Sequence, residues 1–541
     1  MRASIGSSRG EIERERTLDE LVALFARVWR GAVGVVVLLA RNRAVLLWRH
    51  SPTLQIRATS SSLVVRRARI LNNEGIVRRV LILLALPAMV LSTSACTPSD
   101  PPPAHPNVLL VSIDTLRSDH LGAYGYERDT SPSMDRLARE GVLFESALSA
   151  SSWTLPSHTT LLTGMPPEAH GVDTSRKRLV DEAVTLAETF RGAGYTTAAF
   201  VSGPYLRALY GHDQGFETYD ESTVWPKRDV HTKPTSPQLE RLVVEWLEAW
   251  QGSSNPRPFF VFLHMWDPHY DFMPPPPYDT LFDPDYQGEL GGAIFDTDQV
   301  RPDMEPRDLE HLIALYDGEI RFTDDHLGRI LAELERVGVS EDTIVIVTSD
   351  HGEEFFEHGQ KGHSKGLYEE VVRIPWIIRY PRRVAPGQRF SQQVRLMDVG
   401  PTILGLAGVE GDFGTGSQAA FRERDLSPWL LGLESPASFP RLTAFLHEAA
   451  FVRRHAIRTP QHKLIDVRRQ KGRSVEVYDL RVDPGERNNL ESQTKHAWTR
   501  GNLQRRLNAW RKHWGVGPRF SDSVSLDPAD VEQLRALGYL E

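Results

Sequence analysis

Three short stretches carry side chains able to bind a cation or move a proton, and each directly follows an apolar run. They are Ser112-Ile113-Asp114-Thr115-Leu116-Arg117, His264-Met265-Trp266-Asp267-Pro268-His269 and Ser349-Asp350-His351-Gly352-Glu353-Glu354. Carboxylates and imidazoles gathered in one place can ligate a divalent cation, which can in turn activate a hydroxyl and neutralise an anionic ester. A suitable hydroxyl stands in Trp153-Thr154-Leu155-Pro156-Ser157-His158. Pro156 suits a first helical turn, so Thr154 would sit at a helix N-terminus, where unpaired N–H groups favour an anion. Taken singly, each feature has a plainer reading: an Asp after a strand is commonly a turn former, and Thr154 or Ser157 before a helix commonly caps it.

These residues need a scaffold that collects them. Clear strand patterns run over Val108 to Ile113, Phe259 to Leu263 and Thr343 to Val347, and helical spacing of apolar residues over Ser133 to Glu140, Glu182 to Ala193, Ser236 to Trp250 and Arg307 to Val337. The alternation predicts an α/β fold with a large mixed, mostly parallel sheet flanked by helices. Ligands of such sheets bind outside the carboxyl ends of the strands, where the three stretches fall. Pro274 to Pro277 and the Gly/Asp-rich stretch to Asp298 read as a surface loop bordering the substrate. A smaller C-terminal subdomain is expected from 409 to 541, with antiparallel strands near Leu442 to Phe451, Lys463 to Asp466 and Val475 to Asp479.

Length and composition fit that scheme. A chain of 541 residues exceeds one typical core. With 40% hydrophobic and 25% charged residues it is neither disordered nor a multi-span membrane protein. A net charge of −8 offers no basic surface, so no nucleic-acid partner is expected.

The single cysteine, Cys96, cannot form an internal disulfide. Arg78 and Arg79, the apolar run Val80 to Leu91 and the small residues Thr93-Ser94-Ala95 precede it, and the run is too short to span a bilayer. The order resembles a bacterial lipoprotein signal over 77–96, in which the cysteine is lipidated; Thr93 departs from the leucine usual at that place. Membrane anchorage through Cys96 and an extracytoplasmic location in the cell envelope follow as expectations. Residues 97–106 are a proline-rich tether. Residues 1–76 are Arg-rich and fit a signal poorly, which suggests that translation begins near Val77; otherwise they form a cytoplasmic extension in which Ala32 to Ala40 packs as part of a helix.

Several motifs together resemble the sulfatase family of the alkaline-phosphatase-like superfamily: Asp114 after a strand, Thr154-Leu155-Pro156-Ser157 with Leu162-Thr163-Gly164, His264 to His269, Ser349-Asp350-His351-Gly352, Leu367 to Pro375, and Val477-Tyr478-Asp479-Leu480 with Asp483-Pro484-Gly485-Glu486 and Asn489-Leu490. The resemblance runs from about Asn107 to Leu490 and implies a catalytic domain over 107–408. It implies that Asp114, Asp350 and His351, with Thr154, hold one divalent metal, and that Thr154 is the nucleophile. By the same token His264, His269, His358 and His363 fall in or beside stretches that hold the anionic ester or protonate the leaving group, with His264 and His363 read as catalytic and His269 and His358 as binding the ester. Lys365, two residues from His363, is read as binding the same group, although an exposed loop lysine is the plainer case, and His158, beside the nucleophile, is also read as binding the ester.

The departures carry their own implications. True sulfatases have Cys or Ser where Thr154 stands, oxidised to formylglycine; threonine has no CH2 to yield that aldehyde, so no formylglycine is expected. Thr115 replaces a second Asp, His351 an Asn, and His158 an Arg. An imidazole ligand shifts preference towards manganese or zinc, with magnesium or calcium still compatible with the carboxylates. A second metal at Asp267, His269 or His363 is conceivable. The expected substrate is a sulfated or phosphorylated glycan, lipid or small ester. Alternatives are a phosphodiesterase, a phosphoryl transferase, and a degenerate member that binds an anionic polymer without turnover.

Overall fold

The computed structural model describes residues 36–40, 43–47, 105–224, 233–294, 298–411, 413, 423–515 and 520–536. Two units separate, residues 1–99 and 100–541. In the first, Val36–Ala40 pairs antiparallel with Arg43–Leu47, with Val36 opposite Leu47 and Ala40 opposite Arg43. This corrects the helix expected for the Ala32 to Ala40 run: its β-branched valines are stiff at χ1 and favour a strand. Cys96 and the 77–96 segment lie outside the described residues. Among those described, no helix is long and apolar enough to cross a membrane.

The second unit is organised by a nine-stranded sheet. In chain order its strands are β1 (Asn107–Ile113), β2 (Val142–Leu148), β3 (Thr196–Phe200), β4 (Thr218–Asp220), β5 (Phe259–Met265), β6 (Thr343–Ser349), β7 (Arg373–Ile374), β8 (Trp376–Arg379) and β9 (Gln388–Arg395). The spatial order is β7-β2-β8-β6-β1-β5-β3-β4, with β9 parallel to β2. Strands β6, β1, β5, β3 and β4 run parallel, whereas β8 and β7 are antiparallel to their neighbours.

The central strands are apolar without polar alternation because both faces are covered. Val108, Leu110, Phe260, Phe262, Ile344 and Ile346 face one layer, which contains helices α2 (Thr154–Thr163), α4 (Leu186–Gly192) and α7 (Val399–Ala407). Leu109, Val111, Val261, Leu263, Val345 and Val347 face the other, with α1 (Pro132–Glu140), α5 (Ser236–Gln251) and α6 (Pro306–Arg336). Helix α6 presents Leu312, Leu315, Ile320, Leu327, Ile330, Leu331 and Leu334 to the sheet at three- and four-residue spacing. The four-residue helix α3 (Pro167–His170) follows α2. These elements realise the predicted α/β architecture.

A four-stranded antiparallel sheet completes the unit: β10 (Ala444–Glu448), β11 (Arg453–Arg458), β12 (His462–Arg468) and β13 (Arg473–Asp479), in that order, with α8 (Ala497–Trp514) against it. The motif residues around Tyr368 and Glu486 clasp this sheet. Buried Lys463 lies 3.2 Å from Glu369 Oε1 and 3.0 Å from Glu486 Oε1, and Arg458 lies 3.0 Å from Glu369 Oε2. The Glu369 amide donates to Glu486 Oε2 at 2.7 Å. Burial would raise the Glu369 carboxyl, but the Lys463 ammonium and Arg458 guanidinium more than reverse this and hold it below its ordinary value. Its stabilising contribution is therefore present above the unfolded carboxyl pKa and lost as pH falls through the lower folded value. Lys463→Met leaves two buried carboxylates short of a cation and should cost about 3–5 kcal/mol at pH 7. Urea unfolding at pH 7 and pH 3 checks this; a stability gap that does not narrow in acid would rule out the assigned charge pairing.

Candidate functional site

Parallel strands β6, β1 and β5 end side by side, with Ser112 in register with His264 and Ile113 with Ser349. The next residues along the chain, Asp114, Asp350 and His351, therefore emerge at one carboxyl edge, and all three are fully buried. Their ligand atoms lie within 4.8 Å of one another. His351 Nε2 is 3.2 Å from Asp350 Oδ2 and 3.7 Å from Asp114 Oδ1. His351 Nδ1 donates to the Gly352 carbonyl at 2.9 Å, which leaves Nε2 facing the carboxylates.

Thr154 is the first residue of α2, and its side chain caps nothing. Its Oγ1 instead lies 3.3 Å from His351 Nε2. Ser157 does not cap the helix either; its hydroxyl meets Ser149 Oγ at 3.1 Å and donates to the Ser151 carbonyl at 3.3 Å. The plain reading of Thr154 as a helix cap is thus excluded by geometry.

The electrostatics suit a bound cation. Both Asp114 oxygens and Asp350 Oδ2 are buried without a hydrogen-bond partner, an expensive arrangement for carboxylates unless positive charge lies between them. Burial, then the Asp350 carboxylate, push Asp114 well above its usual range. Burial would lower His351, but Asp350 outweighs it and draws the imidazole up to about 9. His264 Nδ1 donates to the Ser202 carbonyl at 2.6 Å, and its Nε2 stands 3.3 Å from Asp114 Oδ2. Burial holds His264 down to about 4. Asp114, Asp350, His351 and Thr154 are the groups fit to hold a divalent metal. His264, expected to act on the leaving group, is instead packed against the Asp114 carboxylate.

The other predicted residues divide. The His363 ring centroid is 4.4 Å from that of His351, so His363 borders the cluster, and the His269 centroid is 5.0 Å from that of His363. The His269 ring stacks on Trp266 at 3.7 Å. His158, expected against the ester, has both ring nitrogens engaged by Ser112 Oγ at 2.9 Å and the Thr154 carbonyl at 3.0 Å, and it lies 3.5 Å behind Asp350 Oδ2. His358, with the same expectation, bonds Glu370 at 2.6 Å and the Glu486 carbonyl at 3.1 Å and stacks on Tyr368. In this structure both brace the fold, because partners within it occupy both of their ring nitrogens. Lys365 donates to the Lys361 carbonyl at 3.0 Å and lines a 240 Å³ cavity with His358, Tyr368 and Arg454. Asp267 is excluded as a second metal ligand: it accepts from the Thr235 and Ser236 amides and hydroxyls at the start of α5.

Two residues to which the sequence reading gave no role of their own contribute. Glu353 is fully buried with Oε2 3.3 Å from His363 Nδ1, and burial pushes it up to about 8. Its nearness to His351 in sequence was the one available signal. Thr115 has a left-handed φ of 54°, a strained conformation for a β-branched residue. Its hydroxyl donates to the Pro268 carbonyl at 3.2 Å and its amide to Asp350 Oδ1 at 3.3 Å, while Tyr316 donates to its carbonyl at 2.8 Å. Thr115 thus turns the chain after Asp114 and orients Asp350 without facing the cluster.

A mostly parallel sheet carrying Asp, Asp, His and a helix-borne hydroxyl at its carboxyl edge places the protein in the alkaline-phosphatase-like class. The chain belongs to the sulfatase family: the Sulfatase family model matches residues 106–409, and the model for the C-terminal part of N-sulphoglucosamine sulphohydrolase matches residues 357–513. It is accordingly an ester hydrolase of that metal-dependent family. It is 25% identical to an N-acetylglucosamine-6-O-sulfatase of Bacteroides thetaiotaomicron, covering 80% of this chain and 91% of that protein. It is also 25% identical to an ulvan-active sulfatase of Formosa agariphila, covering 75% and 81%. Among solved structures, one in complex with its substrate D-glucosamine-2-N,6-O-disulfate superposes with a TM-score of 0.64 at 21% identity, covering 77% of this chain and 99% of that one. The phosphonate monoester hydrolase of Agrobacterium radiobacter gives 0.60 at 23% identity, covering 76% and 96%.

Proposed function

We propose that the protein hydrolyses a sulfate or phosphate-type ester with Thr154 as nucleophile and one divalent metal, manganese or zinc, held by Asp114, Asp350 and His351. The observation that carries this reading is the Thr154 hydroxyl 3.3 Å from His351 Nε2, beside carboxylate oxygens with no hydrogen-bond partner. The cation, when bound, would lower the pKa of a neighbouring hydroxyl and neutralise charge on the ester. Thr154 Oγ gives up its proton as it forms the new bond to sulfur or phosphorus, the bond to the alcohol breaks, and the alcohol oxygen takes up a proton. We assign its delivery to His363, whose ring lies 4.4 Å from that of His351, with His269 next to it. Water then cleaves the threonyl ester, releases the acid and returns a proton to the hydroxyl. His264 and His158 back the two carboxylates. No formylglycine enters this scheme.

The substrate we assign is a sulfated glycan or a related anionic ester, supported by the relatives' activities on N-acetylglucosamine-6-O-sulfate and ulvan. The likeness to a phosphonate monoester hydrolase keeps phosphorus esters in the panel. Purified protein, reconstituted with manganese or zinc, should turn over at least one of an aryl sulfate, a phosphate diester, an aryl phosphonate and a glucosamine 6-sulfate. Inactivity on all four with metal bound would favour the non-enzymatic polymer-binding reading, and product formation only with added alcohol a transferase. We also propose envelope anchorage through a lipid on Cys96; intact mass of cell-purified protein showing an unmodified Cys96, or a retained Met1, would refute it.

A further inference from the structure

A second cluster of metal-ligating side chains lies away from the strand ends, where α3 meets the C-terminal sheet. His447 on β10 and His455 on β11 are directly opposed in the antiparallel register, so their side chains leave the same face. Their rings stack at 4.4 Å and 22°. Glu168 on α3 reaches the same point, and the ligand atoms of the three lie within 4.8 Å of one another. Glu168, His447 and His455 are 8%, 6% and 3% exposed. They line a 160 Å³ cavity together with Asp173, whose Oδ2 is 3.8 Å from His447 Nε2.

The cluster is built as a donor set rather than as a hydrogen-bond network. Both Glu168 oxygens and His455 Nδ1 are buried with no hydrogen-bond partner. Arg453 and Arg511 line the same cavity, yet neither donates to Glu168. The Trp510 indole and the Arg511 charge ease this carboxylate only in part against its burial, and a buried carboxylate beside two imidazoles favours a cation.

We infer that Glu168, His447 and His455 form a zinc site, with Asp173 or water completing four-coordination. Two imidazoles and one or two carboxylates are the nitrogen and oxygen donors that suit zinc. The site would tie two parts of the chain together, since Glu168 comes from the main body and the histidines from the C-terminal sheet. The His447 amide also donates to the Ala150 carbonyl at 2.9 Å.

The test uses full-length protein stripped with a chelator and titrated with Zn²⁺ alone, read by calorimetry and elemental analysis. Wild type should bind two zinc ions; His455→Ala and Glu168→Gln should each bind one, with unchanged circular dichroism and ester hydrolysis within about twofold of wild type. Asp350→Asn should also bind one, and the Asp350→Asn/His455→Ala double variant none. The inference is overturned if wild type binds a single zinc that Asp350→Asn removes, or if His455→Ala and Glu168→Gln both still bind two. Should His455→Ala fail to fold, zinc-edge anomalous scattering from wild-type crystals decides: a peak between Glu168 and His455 supports the site, and its absence refutes it.

Discussion

Thr154→Ala should lower kcat by at least ~10³-fold while leaving the fold and the bound metal in place. The size of the effect follows from position. Oγ1 is the hydroxyl beside His351 Nε2, and the side chain caps nothing, so its removal takes away the proposed attacking atom without opening a helix end. Thr154→Ser keeps a hydroxyl at the first residue of α2 and should retain measurable turnover, which separates loss of the nucleophile from loss of packing. Quenched-flow trapping of a labelled threonyl ester in wild type gives an independent reading. Full activity in Thr154→Ala would remove the proposed mechanism.

Asp350→Ala is expected to abolish turnover and to empty the site of metal, a combined effect on the order of the Thr154→Ala loss or larger. Asp350 Oδ1 accepts from the Thr115 and His351 amides at 3.3 and 3.0 Å, whereas Oδ2 has no hydrogen-bond partner and faces His351 Nε2 at 3.2 Å. One oxygen therefore holds the loop and the other is available to a cation. Alanine removes both functions. Asp350→Asn can retain the acceptor for the amides while losing the charge, so it should keep the wild-type melting temperature within a few degrees and still lose metal from this site. Elemental analysis with thermal unfolding distinguishes the two variants. Metal retained by Asp350→Asn at the wild-type stoichiometry would show that the carboxylate pair does not hold it.

Much of the scaffold was legible because its signals are local. The apolar runs of β1, β5 and β6 and the helical spacing in α1, α5 and α6 predict elements whose ends differ by only a few residues from Asn107–Ile113, Phe259–Met265, Thr343–Ser349, Pro132–Glu140, Ser236–Gln251 and Pro306–Arg336. Strands β2, β3, β4, β7, β8, β9 and β11 were not anticipated; β4, β7 and β8 are too short to show a period. The Val36–Ala40 strand was misread because a brief apolar run satisfies helix and strand patterns alike.

The sequence by itself determined which donors exist and their order along the chain: Asp114, Thr154, Asp350 and His351, each tied to the end of a strand or the start of a helix. Only the tertiary structure decided which of them meet and which are spent elsewhere. Asp114 and Asp350 become neighbours because β1 and β6 are adjacent and parallel, whereas Asp267 is drawn away to the start of α5, and His158 and His358 give both ring nitrogens to partners within the fold. The reason is physical: a strand or helix is written in nearest-neighbour periodicity, but the bonding of a buried imidazole or carboxylate depends on which groups the folded chain leaves within about 3 Å of it, and those come from distant segments.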